Sequence, residues 1–187
     1  MAILLRERLS DYVFRNLTIH ATDIDPAGEF ARRIAQAVFS RQEVERIPPR
    51  ILEKYFEKTE TPGQFRVVKQ IRSRVQFARH DLLSLEPIRE GLSLIVCKNV
   101  LLHFEERQRH QVIAMFHRAL RDGGLLAMEH TQKMPRPLAH LLGQVTASAQ
   151  VYRKIPAGKP TEPGRTTWSV HGRYAPAGSC RKTVTQT

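Results

Sequence analysis

Apolar residues recur at several spacings along the chain, and each spacing predicts a different kind of element. Residues 2–15 carry leucine and isoleucine at helical spacing with charged residues between them, which predicts a helix. Residues 17–21 favour a strand and lead into an acidic turn, after which residues 26–37 show a helical pattern. A strand, an acidic turn and a helix in this order form half of a βαβ unit.

The middle of the chain predicts further helices and strands. Residues 40–58 have a helical pattern that two adjacent prolines interrupt, whereas residues 65–68 and 75–78 favour strands. Residues 92–97 form an unbroken apolar run, as expected for a strand that is buried on both faces.

The most regular helical pattern covers residues 105–121, which open with acids and close with basic residues. Gly123 and Gly124 follow as the predicted stop, and residues 125–129 form the next predicted strand. Strands therefore alternate with helices through most of the chain. This alternation predicts an α/β fold with a largely parallel sheet.

Length and cysteine content narrow the class of protein. The 187 residues suffice for one domain with its own core, and no apolar run reaches the roughly 18–20 residues of a membrane span. Cys97 and Cys180 are far apart and give no disulfide framework, so we expect a reducing, cytoplasmic location.

Charge is the unusual part of the composition. Thirty Lys and Arg against 18 Asp and Glu give a net charge of +12, and the last 35 residues supply half of it. Residues 155–187 are rich in Pro, Gly and Thr without periodicity, and we expect them to form a flexible basic tail. Because this tail lacks a dense basic run and interleaved aromatic residues, the sequence argues against a nucleic-acid partner.

Candidate chemistry lies at the predicted strand ends, because an open parallel sheet binds its ligand outside the carboxyl ends of its strands. Asp23 and Asp25 follow the first strand, Asp81 follows the second, Asn99 the third and His130 the last. An acid here either accepts hydrogen bonds from ribose hydroxyls or caps the next helix, and both interpretations stay open for the first pair. Asn99 is either a ligand-binding amide or a turn residue.

Histidines offer weaker candidates. His103 could serve as an acid or a base, or it could belong to the start of the following helix. His103, His110 and His117 are seven residues apart, but no cysteine or carboxylate accompanies them at ligand spacing. The sequence therefore predicts no metal site.

Five sequence blocks in a fixed order carry a resemblance to a known family. They are ATDID at 21–25, YF at 55–56, DLL at 81–83, IVCKNVLLHF at 95–104 and LRDGG at 120–124. This order resembles the catalytic domain of the CheR-type chemotaxis methyltransferases.

The resemblance covers residues 1–154 and implies where the domain begins and ends. It implies an incomplete Rossmann-like sheet of the class I methyltransferases, with flanking helices and a small β insertion at about residues 46–75. Residues 155–187 would follow this domain as the tail.

The resemblance implies that S-adenosylmethionine is the cofactor and that glutamate carboxylates of chemoreceptor-like proteins are the methyl acceptors. It assigns Asp23 to the ribose hydroxyls, and it places Asp81 and Leu82 beside the adenine. Asn99 and Val100 would line the pocket near the methionine part of the cofactor.

The sequence departs from the family pattern in two ways. His103 stands where the family usually has a tyrosine near the transferred methyl group, which makes it the catalytic candidate. The family's glycine-rich cofactor loop and central first strand have no counterpart in the sequence, so we expect open sheet edges, lower stability and self-association. A non-catalytic remnant or protein-interaction module is therefore the alternative to a methyltransferase.

Overall fold

The computed structural model describes residues 1–131 and 133–156. Its α-helices are α1 (Ala2–Arg8), α2 (Asp11–Arg15), α3 (Glu29–Gln36), α4 (Arg41–Val44), α5 (Pro49–Tyr55), α6 (Lys69–Arg72) and α7 (Glu106–Ala119). Its strands are β1 (Ile19–Asp23), β2 (Val38–Ser40), β3 (Phe56–Lys58), β4 (Gln64–Val67), β5 (Val75–Arg79), β6 (Leu92–Cys97), β7 (Leu120–Met128), β8 (Leu142–Gln144) and β9 (Val151–Lys154). The predicted tail at 155–187 lies outside the described residues apart from its first two positions.

Two helices replace the single one predicted over residues 2–15. The backbone of Leu9 is extended, and Ser10 begins α2 by accepting a hydrogen bond from the backbone N–H of Val13 at 3.4 Å. A serine at this position caps a new helix more readily than it continues an old one, because its hydroxyl competes for backbone donors. The prediction of one continuous helix was wrong.

The parallel sheet predicted for the chain is present in two pieces. β1 pairs with β5 in parallel, from Ile19 opposite Val75 to Asp23 opposite Arg79. β6 pairs with β7 in parallel, and β9 and β8 extend that piece by antiparallel pairing, in the order β6-β7-β9-β8. The α/β fold class is thereby confirmed. Among the described residues, however, no strand joins β1 to β6.

A third, antiparallel sheet has the order β2-β4-β3. The rings of Phe39 and Phe56 meet edge to face across it, with centroids 6.3 Å apart, and the side chain of Val67 is buried beside them. β3 lies inside the segment that was predicted to be helical, and this part of the prediction was wrong. Pairing with β4 outweighs the local helical pattern there. The wider subdomain at residues 46–75 stays a prediction.

Helix α7 packs on the four-stranded piece and forms its core. Val112, Phe116 and Leu126 are almost completely buried between helix and sheet. A capping box begins the helix, in which the side chain of Gln108 accepts a hydrogen bond from the N–H of Glu105 at 3.0 Å. The most regular helical pattern in the sequence predicted this helix, and the helix lies within two residues of the predicted bounds.

The end of α7 differs from the prediction. The backbone becomes extended at Leu120 and enters β7 directly, so Gly123 and Gly124 lie inside the strand instead of stopping the helix. A Cβ on Gly124 would lie 2.9 Å from the carbonyl oxygen of Leu92 on β6. The glycine therefore allows two strands to approach closely where their register shifts.

Strand β6 is less buried than its apolar sequence predicts. Leu94 is 40% exposed and Val96 is 38% exposed, so the prediction of burial on both faces was wrong. This exposure results from the tertiary structure, because β6 has β7 on one side and an open cleft on the other. None of the described helices is long and apolar enough to cross a membrane.

Candidate functional site

A cleft of about 1350 Å³ lies between β1 and β6. Residues of β1 and the turn after it form one wall, and residues of β6 form the other. Met115, Phe116 and Ala119 of α7 contribute apolar surface to it. Because the carboxyl ends of both strands open into the same cleft, the predicted strand-end residues can be tested against one location.

The structure divides the two roles that the sequence left open for Asp23 and Asp25. Asp25 is buried, and its two carboxylate oxygens accept hydrogen bonds from the N–H groups of Phe30 at 3.1 Å and Ala31 at 3.0 Å. It therefore caps helix α3. Burial alone would raise the pKa of this carboxyl group, but the bonds from Ala31 and Phe30 outweigh it and lower the pKa.

Asp23 is the member of the pair that faces the cleft. One of its carboxylate oxygens accepts a hydrogen bond from the N–H of Asp25 at 2.8 Å, and the side chain is exposed. The second oxygen has no hydrogen-bond partner among the described residues. A carboxylate fixed at one oxygen and free at the other can accept a hydrogen bond from a ligand hydroxyl.

Asp81 and Leu82 lie beside Asp23 because β5 runs next to β1. The N–H of His80 donates to the carbonyl oxygen of Asp23 at 2.9 Å, which brings the residues after both strands together. Asp81 caps the 3-10 turn at Leu82–Ser84 by accepting a hydrogen bond from the N–H of Leu83 at 2.8 Å. Asp81 and Leu82 both line the cleft, and Leu82 also packs on the core beneath it.

The residues after β6 are only partly gathered at the cleft. Val100 and His103 line it, and His103 is exposed at the end of a 3-10 turn. Asn99 is exposed, has a φ of 59° and does not line the cleft. Its left-handed backbone is typical of an asparagine in a turn, the second of the two interpretations that the sequence allowed.

The sequence candidate His130 and the thiol of Cys97 do not contribute to this cleft as reactive groups. His130 lies outside it. Cys97 ends β6 and borders it, but burial raises the pKa of this thiol to about 11, which keeps it protonated at neutral pH. Nowhere in residues 1–131 and 133–156 do three or more His, Cys, Asp or Glu side chains form a group that could hold a metal ion.

The cleft also includes residues that the sequence did not single out. His20 lies within β1, and Arg89 lies in the loop before β6. Nothing in their local sequence marks them, since neither follows a strand end. For His20, the alternation of residues along β1 could indicate a position at the cleft, but only once the open side of that strand is known.

Comparison with known proteins places the chain in a family. The model of the "CheR methyltransferase, SAM binding domain" family matches residues 1–150. Among curated proteins, the chain is 28% identical over 123 residues to chemotaxis protein methyltransferase 2 of Vibrio cholerae, covering 65% of this chain and 42% of that protein. It is 29% identical over 123 residues to the chemotaxis protein methyltransferase of Listeria monocytogenes, covering 66% and 45%.

A third relative is the chemotaxis protein methyltransferase of Escherichia coli, which is 26% identical over 135 residues. That match covers 71% of this chain and 45% of the relative. The chain thus spans less than half the length of each of these three relatives. Its family model nevertheless covers most of it, in agreement with the predicted resemblance, and the chain belongs to the CheR methyltransferase family through its S-adenosylmethionine-binding domain.

Proposed function

We propose that this domain binds S-adenosylmethionine in the cleft between β1 and β6 and methylates glutamate carboxylates of chemoreceptor-like proteins. One observation carries the proposal. Five of the six residues predicted for the site line the same cleft, although they come from three separate segments of the chain: Asp23, Asp81, Leu82, Val100 and His103.

The adenosine end of the cofactor fits the residues that are present. Asp23 offers a carboxylate oxygen without a protein partner, which suits a ribose hydroxyl. Leu82 offers an apolar surface beside it, and Asp81 adds a carboxylate that could accept from the adenine amino group. The cleft exceeds the roughly 300–1000 Å³ of most small-molecule sites, so volume does not exclude the ligand.

Fewer of the predicted residues line the cleft where the methionine part of the cofactor would lie. Val100 lines this part of the cleft, whereas Asn99 does not. The only glycine among the described residues that lines the cleft is Gly91, which lies before β6, at the opposite end of the strand from Val100. The described residues therefore hold the cofactor mainly through side chains after β1 and β5.

When bound, the cofactor supplies an electrophilic methyl group on its sulfonium. The chain's own contribution is to position the acceptor, because such a transfer depends on proximity and orientation more than on acid–base catalysis. His103 is exposed at the mouth of the cleft and is the residue that we propose contacts the acceptor carboxylate. Because Cys97 is a free thiol, we further propose that the domain works in the reducing cytoplasm.

Calorimetric titration with S-adenosylhomocysteine tests the binding step. We expect micromolar binding to the full chain, and loss of about tenfold or more of the affinity in Asp23→Ala, because the ribose hydroxyls lose their acceptor. Glu57→Ala is the matched control, since Glu57 is an exposed acid on β3 outside the cleft. Methyl transfer from labelled S-adenosylmethionine to a receptor fragment then tests the reaction.

A second candidate function is a non-catalytic interaction module. The observation that favours it is the separation of the parallel sheet into two pieces among the described residues. If a chain shown by circular dichroism to be folded gives no heat with S-adenosylhomocysteine, the methyltransferase proposal is wrong and the interaction module is supported.

A further inference from the structure

The turn between β1 and α3 is built around two contacts of Asp23. Its carbonyl oxygen accepts a hydrogen bond from the N–H of His80 at 2.9 Å, which fixes its backbone to the residue after β5. One of its carboxylate oxygens accepts from the N–H of Asp25 at 2.8 Å. The first contact leaves the side chain free to rotate, so the direction of the carboxylate depends on the second.

The N–H of Asp25 reaches that carboxylate through an unusual backbone conformation. Asp25 has a φ of 33°, a left-handed backbone that residues with a side chain rarely adopt, because their Cβ then approaches a carbonyl oxygen of the chain. Such a conformation persists only where surrounding contacts compensate for its strain. The contacts of Asp25 therefore decide whether its N–H stays directed at Asp23.

Those contacts are made with the start of helix α3. The two carboxylate oxygens of Asp25 accept from the N–H groups of Phe30 at 3.1 Å and Ala31 at 3.0 Å. The carbonyl oxygen of Asp25 accepts from the N–H of Gly28 at 3.1 Å. Asp25 is 5% exposed and is the only buried charged side chain in the part of the chain that the structure describes. Because both oxygens of this buried carboxylate are bonded, the turn is held rigidly.

Helix α3 is capped differently from α2 and α4. Ser10 and Ser40 cap those two helices from the N-cap position itself, and a polar side chain at that position serves its own helix alone. The N-cap of α3 is Gly28, which has no side chain, and the acceptor comes instead from Asp25, three residues upstream. The cap of α3 is thereby joined to the turn that holds Asp23.

We propose that Asp25 is a positioning residue for the cofactor. By binding the first turn of α3, it keeps its own N–H directed at one oxygen of Asp23, so that the other oxygen accepts from a ribose hydroxyl in the cleft. Asp25 does not line the cleft, and both of its carboxylate oxygens are already bonded to α3, so it acts through Asp23. The inference rests on the proposed function, because that function assigns the ribose to Asp23.

A purely structural role for Asp25 makes a different prediction. A helix cap contributes to stability, and its loss would leave ribose recognition intact in the molecules that remain folded. A positioning role instead predicts that the chain no longer distinguishes a ligand with ribose hydroxyls from one without them. The test therefore compares two ligands that differ only in these hydroxyls.

Calorimetric titration of the full chain with S-adenosylhomocysteine and with its 2′,3′-dideoxy analogue provides this comparison. We expect the unsubstituted chain to bind S-adenosylhomocysteine about tenfold or more tightly than the analogue, and Asp25→Ala to bind the two with nearly equal affinity. Asp25→Asn should keep most of the difference, because asparagine adopts left-handed conformations and its amide oxygen accepts hydrogen bonds. Ser40→Ala removes the cap of α4 outside the cleft, and this matched control should leave the difference unchanged.

The proposal is overturned if Asp25→Ala is folded by circular dichroism and still distinguishes the two ligands as the unsubstituted chain does. If Asp25→Ala does not fold, Asp25→Gly takes its place, since glycine adopts a positive φ without strain but offers no acceptor to α3. The double variant Asp23→Ala/Asp25→Ala adds a check. If Asp25 acts through Asp23, the double variant binds S-adenosylhomocysteine as Asp23→Ala does, whereas additive losses would contradict this.

Amide hydrogen exchange measured by NMR without any ligand tests the positioning independently of cofactor binding. After correction for the intrinsic rate of each residue type, we expect exchange at the N–H of residue 25 to be slow in the unsubstituted chain and in Asp25→Asn. In Asp25→Ala it should be about tenfold or more faster. Equal rates in a folded Asp25→Ala would contradict the proposal. A chain that binds neither ligand but shows this difference in exchange would overturn the proposed function alone and would support the role of Asp25 in fixing Asp23.

Discussion

The two pieces of the parallel sheet differ in how much they bury. In β7, one of the two inner strands of the four-stranded piece, Leu120, Gly124, Leu126 and Met128 are buried, on a core closed by helix α7. In the two-stranded piece, neither β1 nor β5 contributes a fully buried residue. An isolated pair of strands is only marginally stable, whereas three or more strands packed on a helix form a stable unit. The four-stranded piece is therefore the more stable of the two. The cleft lies between it and the less stable two-stranded piece.

This comparison also relates stability to the candidate site. Asp23 and Asp81 follow β1 and β5, the strands with less burial, while Val100 and His103 follow β6 of the well-packed piece. Local opening costs least where few apolar contacts are made. We therefore expect the adenosine side of the proposed cofactor site to be the more mobile one until a ligand joins the two pieces.

The largest effect expected from this contrast is on stability. Leu126→Ala removes a fully buried side chain and should lower the free energy of unfolding by about 2–5 kcal/mol. Ile19→Ala removes a side chain of similar volume from β1, which is only half-buried, and should cost about 1 kcal/mol. Urea denaturation of both variants measures the difference. Equal losses would show that the two pieces form one equally packed core.

Sequence reasoning located the elements whose stability is local. Helix α7 and strands β1, β5 and β6 lie close to their predicted positions, because periodic apolar residues determine them directly. The break at Ser10 and the strand at Phe56–Lys58 were missed because capping and strand pairing override the helical pattern there. The exposure of Leu94 was missed because it depends on which strand lies next to β6, and the apolar run itself carries no such information.

The candidate site shows the same limit. Asp23 and Asp81, which the sequence singled out as strand-end residues, line one cleft, because parallel strands share a carboxyl edge. Strand-end spacing alone could not show that Asp25 is the helix cap, since its position depends on a left-handed backbone with a φ of 33°. The outward position of Asn99 likewise depends on its own left-handed conformation.

A smaller effect is expected where the two parallel strands of the well-packed piece approach most closely. A Cβ at position 124 would lie 2.9 Å from the carbonyl oxygens of both Leu92 and Arg121, so Gly124→Ala should destabilise the fold by about 1–3 kcal/mol. Gly143→Ala in β8 is the matched control, because a Cβ there meets only ordinary contacts at 3.8 Å. The melting temperatures of both variants are compared. A larger decrease for Gly124→Ala shows an effect of crowding at position 124, beyond the general cost of replacing a glycine in a strand. Similar melting temperatures would contradict the close approach of β6 and β7.

The smallest effect at neutral pH concerns the ionic contact between helices α1 and α5. The carboxylate of Glu7 on α1 accepts hydrogen bonds from Arg50 at 2.7 Å, Lys54 at 2.7 Å and Tyr55 at 2.5 Å, all on α5. The bonds from Lys54 and Tyr55 lower the pKa of Glu7 from 4.5 to about 2.

Because the pKa of Glu7 is lower in the folded state than in the unfolded state, its ionised form stabilises the fold above about pH 4.5. This contribution is lost as the pH falls from 4.5 towards 2. We therefore expect Glu7→Gln to be less stable than the unsubstituted chain at pH 7, with a difference that shrinks through this interval. Glu57→Gln changes an exposed acid on β3 and serves as the control in urea titrations at each pH. A difference for Glu7→Gln that stays constant from pH 7 to pH 2 would mean that its contacts act through packing, and that α1 is held to α5 in the same way as α7 is held to its sheet.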